Sequence, residues 1–273
     1  MKAEVKAPFI QLFFSTSKEH PTHQTQVLLD VAYGNDPEQK MDLYLPMKRN
    51  EDTKVFILLH GGGWSGGSRD RLHYFIPMLR EEFPDHAIVN MDYRLASFES
   101  PAFPKQVQDV ETAIAFIEEG NYNIGNQYAF IGMSAGAHLA MLYSYRHDMH
   151  RNVKAVCSIV GPSDFTDPFY VSHPYYQYAA MYLLGHSKSH EDAVFGISPA
   201  NFVNPLSPPT ILFYGGKDPL VPRSQAERLK AKLDANGVYN EYYLYENGGH
   251  SKWEASIAEN FRTKLVAFIK AKF

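Results

Sequence analysis

Residues 128–140 read YAFIGMSAGAHLA, and the fold turns on this stretch. Tyr128–Gly132 is a short apolar run of the kind that forms a buried strand, and Ala135–Tyr145 carries an apolar stripe at helical spacing. Between them, Gly132-Met133-Ser134-Ala135-Gly136 matches G-x-S-x-G, with the strand leading in and the helix leading out. A serine on so tight a turn holds strained backbone angles, and the flanking glycines leave room for neighbouring backbone. Such a turn lifts the hydroxyl above the sheet and aims a helix N-terminus at any negative charge developing there. The same five residues also fit a plain strand-to-helix turn with a capping serine, so the rest of the chain has to decide.

Moving outward, strand-like and helix-like segments alternate. Val27–Tyr33 and Met41–Leu45 read as strands joined by a polar turn at 34–39, and Val55–His60 (VFILLH) as a buried parallel strand. A helix is predicted from Asp70 to Glu82, a strand over Ala87–Tyr93, and a helix over Val107–Glu118 with Val110, Ile114 and Ile117 on one face. Beyond the opening stretch come a strand at Val153–Val160, another at Thr210–Tyr214, a helix at Ser224–Asn236, a strand at Asn240–Tyr245 and a closing helix at Glu254–Lys270. From Gly161 to Pro208 the pattern lapses into Pro, Tyr, Ser and His, with one short helix predicted near Tyr178–Leu184. A connection that long inside a compact domain caps or binds something. The expected architecture is α/β: a mostly parallel eight-stranded sheet with helices on both faces and the first two strands as an antiparallel edge. One domain covers residues 1–273, with a cap-like insert at about 164–204 after the sixth strand. In such sheets ligands sit at the carboxyl ends of the strands.

The chemistry-bearing residues fall at those ends. His60-Gly61-Gly62-Gly63-Trp64 follows a strand, and its three glycines let backbone N–H groups face a cavity. With the N–H of Ala135 they can form an oxyanion hole, where one donor is worth about 3–4 kcal/mol of transition-state stabilisation. A phosphate cradle is the alternative use of such a loop, but the Lys-Ser/Thr ending and the G-x-G-x-x-G spacing are both absent. His60 is read as a brace for the loop. Gly215-Gly216-Lys217-Asp218 follows the next-to-last strand, where a carboxylate can fix an imidazole tautomer; a helix-capping aspartate is the plainer reading, and Asp164 competes for the same role. Asn247-Gly248-Gly249-His250 follows the last strand, and neutral imidazole suits proton shuttling near pH 7. Each signal is modest alone. Ser134, Asp218 and His250 in that chain order, each after a strand, point to a nucleophile, its orienting acid and its general base.

Composition narrows the remaining options. The 26 Lys and Arg against 30 Asp and Glu leave a net charge of −4 with no basic run, which argues against nucleic acid or an anionic membrane as partner. No stretch approaches the roughly 18 apolar residues of a spanning helix. Residues 1–14 hold a short apolar run that Gln11 interrupts, with no small-residue cleavage site, so no secretory leader is read there. The single cysteine, Cys157, rules out an intrachain disulfide and sits in an apolar strand as a core residue. A cytoplasmic location is the expectation, although an exported form with its leader removed would read the same. His20, His23, His173, His186 and His190 show no metal-ligand spacing, Asp109 reads as structural, and no metal or organic cofactor is expected.

Taken together, HGGGW at 60–64, MDYRLA at 91–96, GMSAGAHLA at 132–140, GGKDPLVP at 215–222 and NGGH at 247–250 resemble α/β-hydrolase esterases and lipases with an HGGG oxyanion loop. The likeness is to hormone-sensitive-lipase-like carboxylesterases and to bacterial feruloyl- and acetylxylan-type esterases, from about Gln26 to the C-terminus. It implies the α/β-hydrolase fold, Ser134, Asp218 and His250 as triad, and Gly62, Gly63 and Ala135 as oxyanion donors. Two features depart from the lipase-like pattern: Met133 precedes the serine, and Ala96-Ser97-Phe98 stands where that group continues DYRLAPE. GMSAGAHLA is also similar to kynurenine formamidases, whereas VAYGNDPEQKMDLYLP at 31–46 is closer to the bacterial esterases.

The expected activity is therefore serine-dependent hydrolysis of a small-molecule ester, with short-chain, sugar or aryl acyl groups. The alternatives are a formamidase-like amide hydrolase and a catalytically silent hydrolase-like binding protein. Trp64, Tyr175 and Tyr176 are candidate substrate contacts, with Tyr170 and Tyr182 as further liners. A homodimer is compatible with the sequence.

Overall fold

A computed structural model describes residues 26–185, 190–251 and 253–273. The N-terminal apolar run, His20, His23 and His186 lie outside the described residues, as does the side chain of His190. At the centre of the sheet runs β3 (Val55–Leu59), whose five residues are all buried. Val55, Ile57 and Leu59 pack into the core on one face, and Phe56 and Leu58 into the core on the other. A strand covered on both faces has no solvent side, so its sequence shows a continuous apolar run rather than alternation.

The other strands are β1 (Gln26–Ala32), β2 (Lys40–Leu45), β4 (Ala87–Met91), β5 (Tyr128–Met133), β6 (Val153–Ile159), β7 (Thr210–Gly215) and β8 (Asn240–Tyr245). Their order across the sheet is β1-β2-β4-β3-β5-β6-β7-β8. β1 and β2 pair antiparallel and β2 runs antiparallel to β4, while every other neighbouring pair is parallel. The expected antiparallel edge is present. Helices α2 (Lys105–Glu119), α3 (Ala135–Leu142) and α7 (Ser224–Ala235) cover one face, and α1 (Phe75–Glu82) and α8 (Ala255–Lys272) the other. On α8, Phe261, Leu265, Phe268 and Ile269 are buried; at about 1.5–3 kcal/mol for each such side chain, this stripe holds the helix down.

Register sets the strand ends level. Leu59 of β3 lies beside Gly132 of β5, Met133 beside Ile159 of β6, Ile159 beside Phe213 of β7, and Gly215 beside Tyr245 of β8. The loops beginning at residues 60, 134, 216 and 246 therefore leave the sheet at one rim.

Three elements differ from the sequence reading. The helix predicted from Asp70 is a short 3₁₀ turn, Arg69–Leu72, followed by α1. Pro77 has no N–H to bond back to the carbonyl of His73, so it is tolerated only in a first turn. α3 passes at Tyr143–His147 into a wider π turn, where the Ser144 hydroxyl donates to the Ala140 carbonyl at 2.7 Å. Among its described residues the insert carries three α-helices rather than one: α4 (Pro168–Val171), α5 (Pro174–Leu184) and α6 (His190–Gly196). Each of the first two opens with proline at its first position, after a capping side chain. Asp167 Oδ1 accepts from the Phe169 N–H at 3.0 Å, and His173 Nδ1 from the Tyr175 N–H at 3.3 Å. Phe165, Tyr170, Tyr176, Ala179 and Leu183 join Trp64 and Ala135 in a separate buried cluster, which seats the insert against the rim.

Candidate active site

Ser134 stands between β5 and α3 with φ 53° and ψ −117°, a left-handed conformation that costs on the order of 1–3 kcal/mol in a non-glycine residue. Surrounding backbone holds it there: the Ser134 N–H donates to the Ile159 carbonyl at 2.8 Å, and its own carbonyl accepts from the His138 N–H at 3.0 Å. A methyl group on Gly132 would lie 2.4 Å from the Gly136 carbonyl oxygen, and one on Gly136 would lie 2.0 Å from that of Leu59. Neither position admits a side chain.

Asp218, on the loop after β7, has a fully buried side chain. Its Oδ1 accepts from the N–H groups of Leu220 and Val221 at 2.8 and 3.0 Å, leaving Oδ2 directed at His250 Nδ1, 2.7 Å away. His250 Nε2 lies 2.9 Å from Ser134 Oγ. A carboxylate only accepts, so Nδ1 carries the proton and Nε2 receives the serine hydroxyl. The approach of the two loops depends on Gly215, where a methyl group would meet the carbonyl oxygens of Gly248 and Gly249, both at 2.4 Å. The Trp253 indole N–H donates to the Gly249 carbonyl at 3.0 Å and steadies the histidine loop.

The triple-glycine loop lies against the serine turn, since a methyl group on Gly61 would sit 3.2 Å from Ser134 Cβ. Gly62 and Gly63 take φ values of 145° and 59°. Ala135, as the first residue of α3, has an N–H with no intrahelical acceptor. Among the described residues nothing accepts from the N–H groups of Gly62 and Gly63. His60 braces this loop: its ring stacks on Tyr93 with centroids 4.2 Å apart, Nδ1–H donates to the Gly61 carbonyl at 3.0 Å, and the Tyr93 hydroxyl donates to the His60 carbonyl at 2.7 Å. Complete burial depresses its pKa and keeps it neutral.

The remaining candidates separate. Asp164 is turned away, accepting from the Thr166 N–H and from Arg228 Nε at 2.7 Å. Asp109 accepts from Gln39 and Arg94 deep in the fold. Trp64 and Tyr176, expected against substrate, are instead 1% and 3% exposed within the aromatic cluster. Trp64 is drawn inward because its indole N–H donates to His138 Nδ1 at 3.2 Å and its carbonyl accepts from Gln106 Nε2 at 2.7 Å. Tyr176 packs on Phe165 and Tyr170. Tyr170 is also buried, whereas Tyr175 and Tyr182 are half-buried. Among the described residues, no group of three or more His, Cys, Asp or Glu side chains is placed to hold a metal ion, and no helix is long and apolar enough to cross a membrane.

Sequence reasoning missed His138. It follows Ser134 by one helical turn, accepts a hydrogen bond from the Trp64 indole N–H on Nδ1 and donates from Nε2 to the Ile197 carbonyl at 2.7 Å. It thus joins the glycine loop, the serine helix and the insert. Its one sequence signal was a histidine inside an otherwise apolar helix.

The chain is similar to esterase LipC of Mycobacterium tuberculosis, 29% identical over 240 residues, covering 81% of this chain and 58% of that protein. It is similar to the kynurenine formamidase of Danio rerio, 30% identical over 125 residues, covering 43% of this chain and 39% of that one. The chain thus spans little more than half the length of LipC and less of the formamidase. Among solved structures, a truncated carbohydrate esterase from gut microbiota superposes with TM-score 0.73 at 22% identity, covering 91% of this chain and 100% of that one. A bacterial heroin esterase gives TM-score 0.71 at 23% identity, covering 91% and 84%. At such identities the likeness is one of fold, the α/β-hydrolase fold. A family model matches residues 41–233, from β2 into α7, and the chain belongs to the BD-FAE family.

Proposed function

We propose that this chain hydrolyses carboxylic esters through an acyl-enzyme on Ser134. The observation that carries the reading is the unbroken line from Asp218 Oδ2 through His250 to Ser134 Oγ, with steps of 2.7 and 2.9 Å. Ser134 Oγ attacks the ester carbonyl while His250 Nε2 takes its proton, and buried Asp218 stabilises the imidazolium. The oxyanion of the tetrahedral intermediate rests on the N–H groups of Gly62, Gly63 and Ala135, each worth roughly a hundredfold or more in rate. His250 then protonates the leaving alcohol, activates a water for attack on the acyl-enzyme and returns its proton to Ser134. Residues 164–204 act within the single domain as a cap over this rim.

An aromatic row supports an ester with an aryl or sugar ring. Tyr175, Tyr178, Tyr182 and Phe98 follow one another with centroids 5.3, 4.5 and 5.5 Å apart, starting beside Gly63. Such faces stack flat rings. The partial likeness to kynurenine formamidase favours a second reading, an aryl formamide as substrate of the same triad. Ser134→Ala is expected to abolish turnover of p-nitrophenyl acetate and labelling by a fluorophosphonate. Retention of either removes Ser134 as nucleophile. Rates on acetate, butyrate, feruloyl and acetylated-sugar esters, set beside N-formylkynurenine, decide the substrate class, and inactivity on all of them would leave a binding protein.

A further inference from the structure

The Tyr175 hydroxyl of the insert reaches the glycine loop with no hydrogen-bond partner among the described residues. Tyr175 lies in the first turn of α5, half-buried, with its backbone N–H capped by His173 and its ring against Tyr178. Its hydroxyl points at the glycine loop: a methyl group built on Gly63 would lie 2.9 Å from it, nearer than to any other atom of a neighbouring residue. The Asp218 carboxylate also acts on the same phenol. Burial raises its pKa first, and Tyr178 and Asp218 add to the effect, so the group stays protonated at neutral pH and can only help as a donor or weak acceptor. The hydroxyl therefore lies beside Gly63 of the glycine loop, within the electrostatic reach of Asp218.

Two other tyrosines beside the glycine loop satisfy their hydroxyls, whereas that of Tyr170 is shut inside the aromatic cluster without a partner and out of reach of a ligand. Tyr93 donates to the His60 carbonyl at 2.7 Å, and Tyr178 meets Ser65 Oγ at 2.9 Å. Among the described residues, no hydrogen-bond partner lies within reach of the Tyr175 hydroxyl. A half-buried donor held beside an oxyanion loop with no protein acceptor among the described residues is open to a ligand and contributes no hydrogen bond to the fold.

We propose that Tyr175 is a further catalytic residue, whose hydroxyl donates a hydrogen bond to the ester carbonyl oxygen as that oxygen becomes negative. The inference rests on the reading of Ser134 as nucleophile. The phenol keeps its proton throughout and forms no covalent bond. The proximity of the hydroxyl to Gly63 assigns it to the oxyanion, because the leaving alcohol is protonated on the His250 side.

The test compares wild type, Ser134→Ala and Tyr175→Phe on p-nitrophenyl acetate, with binding of an aryl trifluoromethyl ketone and thermal unfolding alongside. The ketone adds to the serine to form a stable oxyanion, so it reads the donor directly. Tyr175→Phe is expected to lower kcat by about 10- to 100-fold with KM within about twofold. It should weaken the ketone by a similar factor and leave Tm unchanged or raised, because no protein hydrogen bond is lost. An active wild type, a dead Ser134→Ala and a Tyr175→Phe with wild-type kcat and ketone affinity overturn this inference alone. A fall in kcat that comes with a Tm lowered by several degrees overturns it too, since the hydroxyl is then structural. An inactive wild type, or an active Ser134→Ala, overturns the esterase reading and this inference with it.

Discussion

Ser134 shows how the site is built at the scale of single residues. Its left-handed backbone is unfavourable on its own and persists because Gly132 and Gly136 let α3 and β3 close around it. Asp218 is fixed just as firmly, with two backbone N–H groups on one oxygen and His250 on the other. That division of labour makes Asp218→Asn informative. The amide oxygen can keep the Leu220 and Val221 bonds, so Tm should change little. The amide nitrogen then faces Nδ1 and imposes the wrong imidazole tautomer, a change that lowers kcat by about 10⁴-fold in a comparable triad. Steady-state kinetics on p-nitrophenyl acetate with a melt on the same sample checks both halves. A variant that keeps a tenth of the wild-type kcat would show that the carboxylate is not needed.

At the scale of elements, the insert depends on its helix starts. Asp167 caps α4 through Oδ1 while Oδ2 accepts from Ser224 Oγ at 2.6 Å and Gln225 Nε2 at 3.0 Å, tying the insert to α7. Asp167→Ala removes a cap and two side-chain bonds, a loss of about 2 kcal/mol. For a domain of this size that lowers Tm by roughly 4–8 °C. A melt unchanged within a degree would mean that these contacts are not made in solution. The same helices mark where the sequence stopped being readable. Strands such as Val55–Leu59 and Tyr128–Met133 declare themselves through unbroken apolar runs, and the chemistry after them could be located by its place at a strand end. Pro168 and Pro174 lie in the stretch where the alternating pattern lapses, yet each starts a helix, because proline lacks only an N–H that a first turn leaves unpaired. Trp64 reads as a candidate substrate contact; the structure buries it, with its indole N–H donating to His138, one turn beyond Ser134. The direction of the Tyr175 hydroxyl depends on how the insert docks, and no spacing in the sequence encodes that.

At the scale of the whole molecule, the rim exists because parallel register levels the strand ends and a buried histidine network locks the loops and insert onto them. That network makes the fold sensitive to acid. Burial lowers the pKa of His138 to about 4, and burial likewise depresses that of His60, whereas both titrate near 6.5 in an unfolded chain. The unfolded state therefore takes up these protons first as pH falls. Each histidine contributes its stability fully above pH 6.5 and loses it between 6.5 and about 4, on the order of 3 kcal/mol for one as buried as His138. Urea midpoints measured from pH 7.5 down to 4.5 should fall steeply below 6.5. His138→Gln supplies the control, since an amide can still accept from Trp64 and donate to the Ile197 carbonyl but does not titrate. Its midpoint should start lower at pH 7.5 and fall less on acidification, so that the two curves converge toward pH 4.5. Parallel curves would show that His138 takes its proton in the folded protein as readily as in the unfolded one. The contacts joining glycine loop, serine helix and insert would then not be the buried network that holds His138 at 0% exposure.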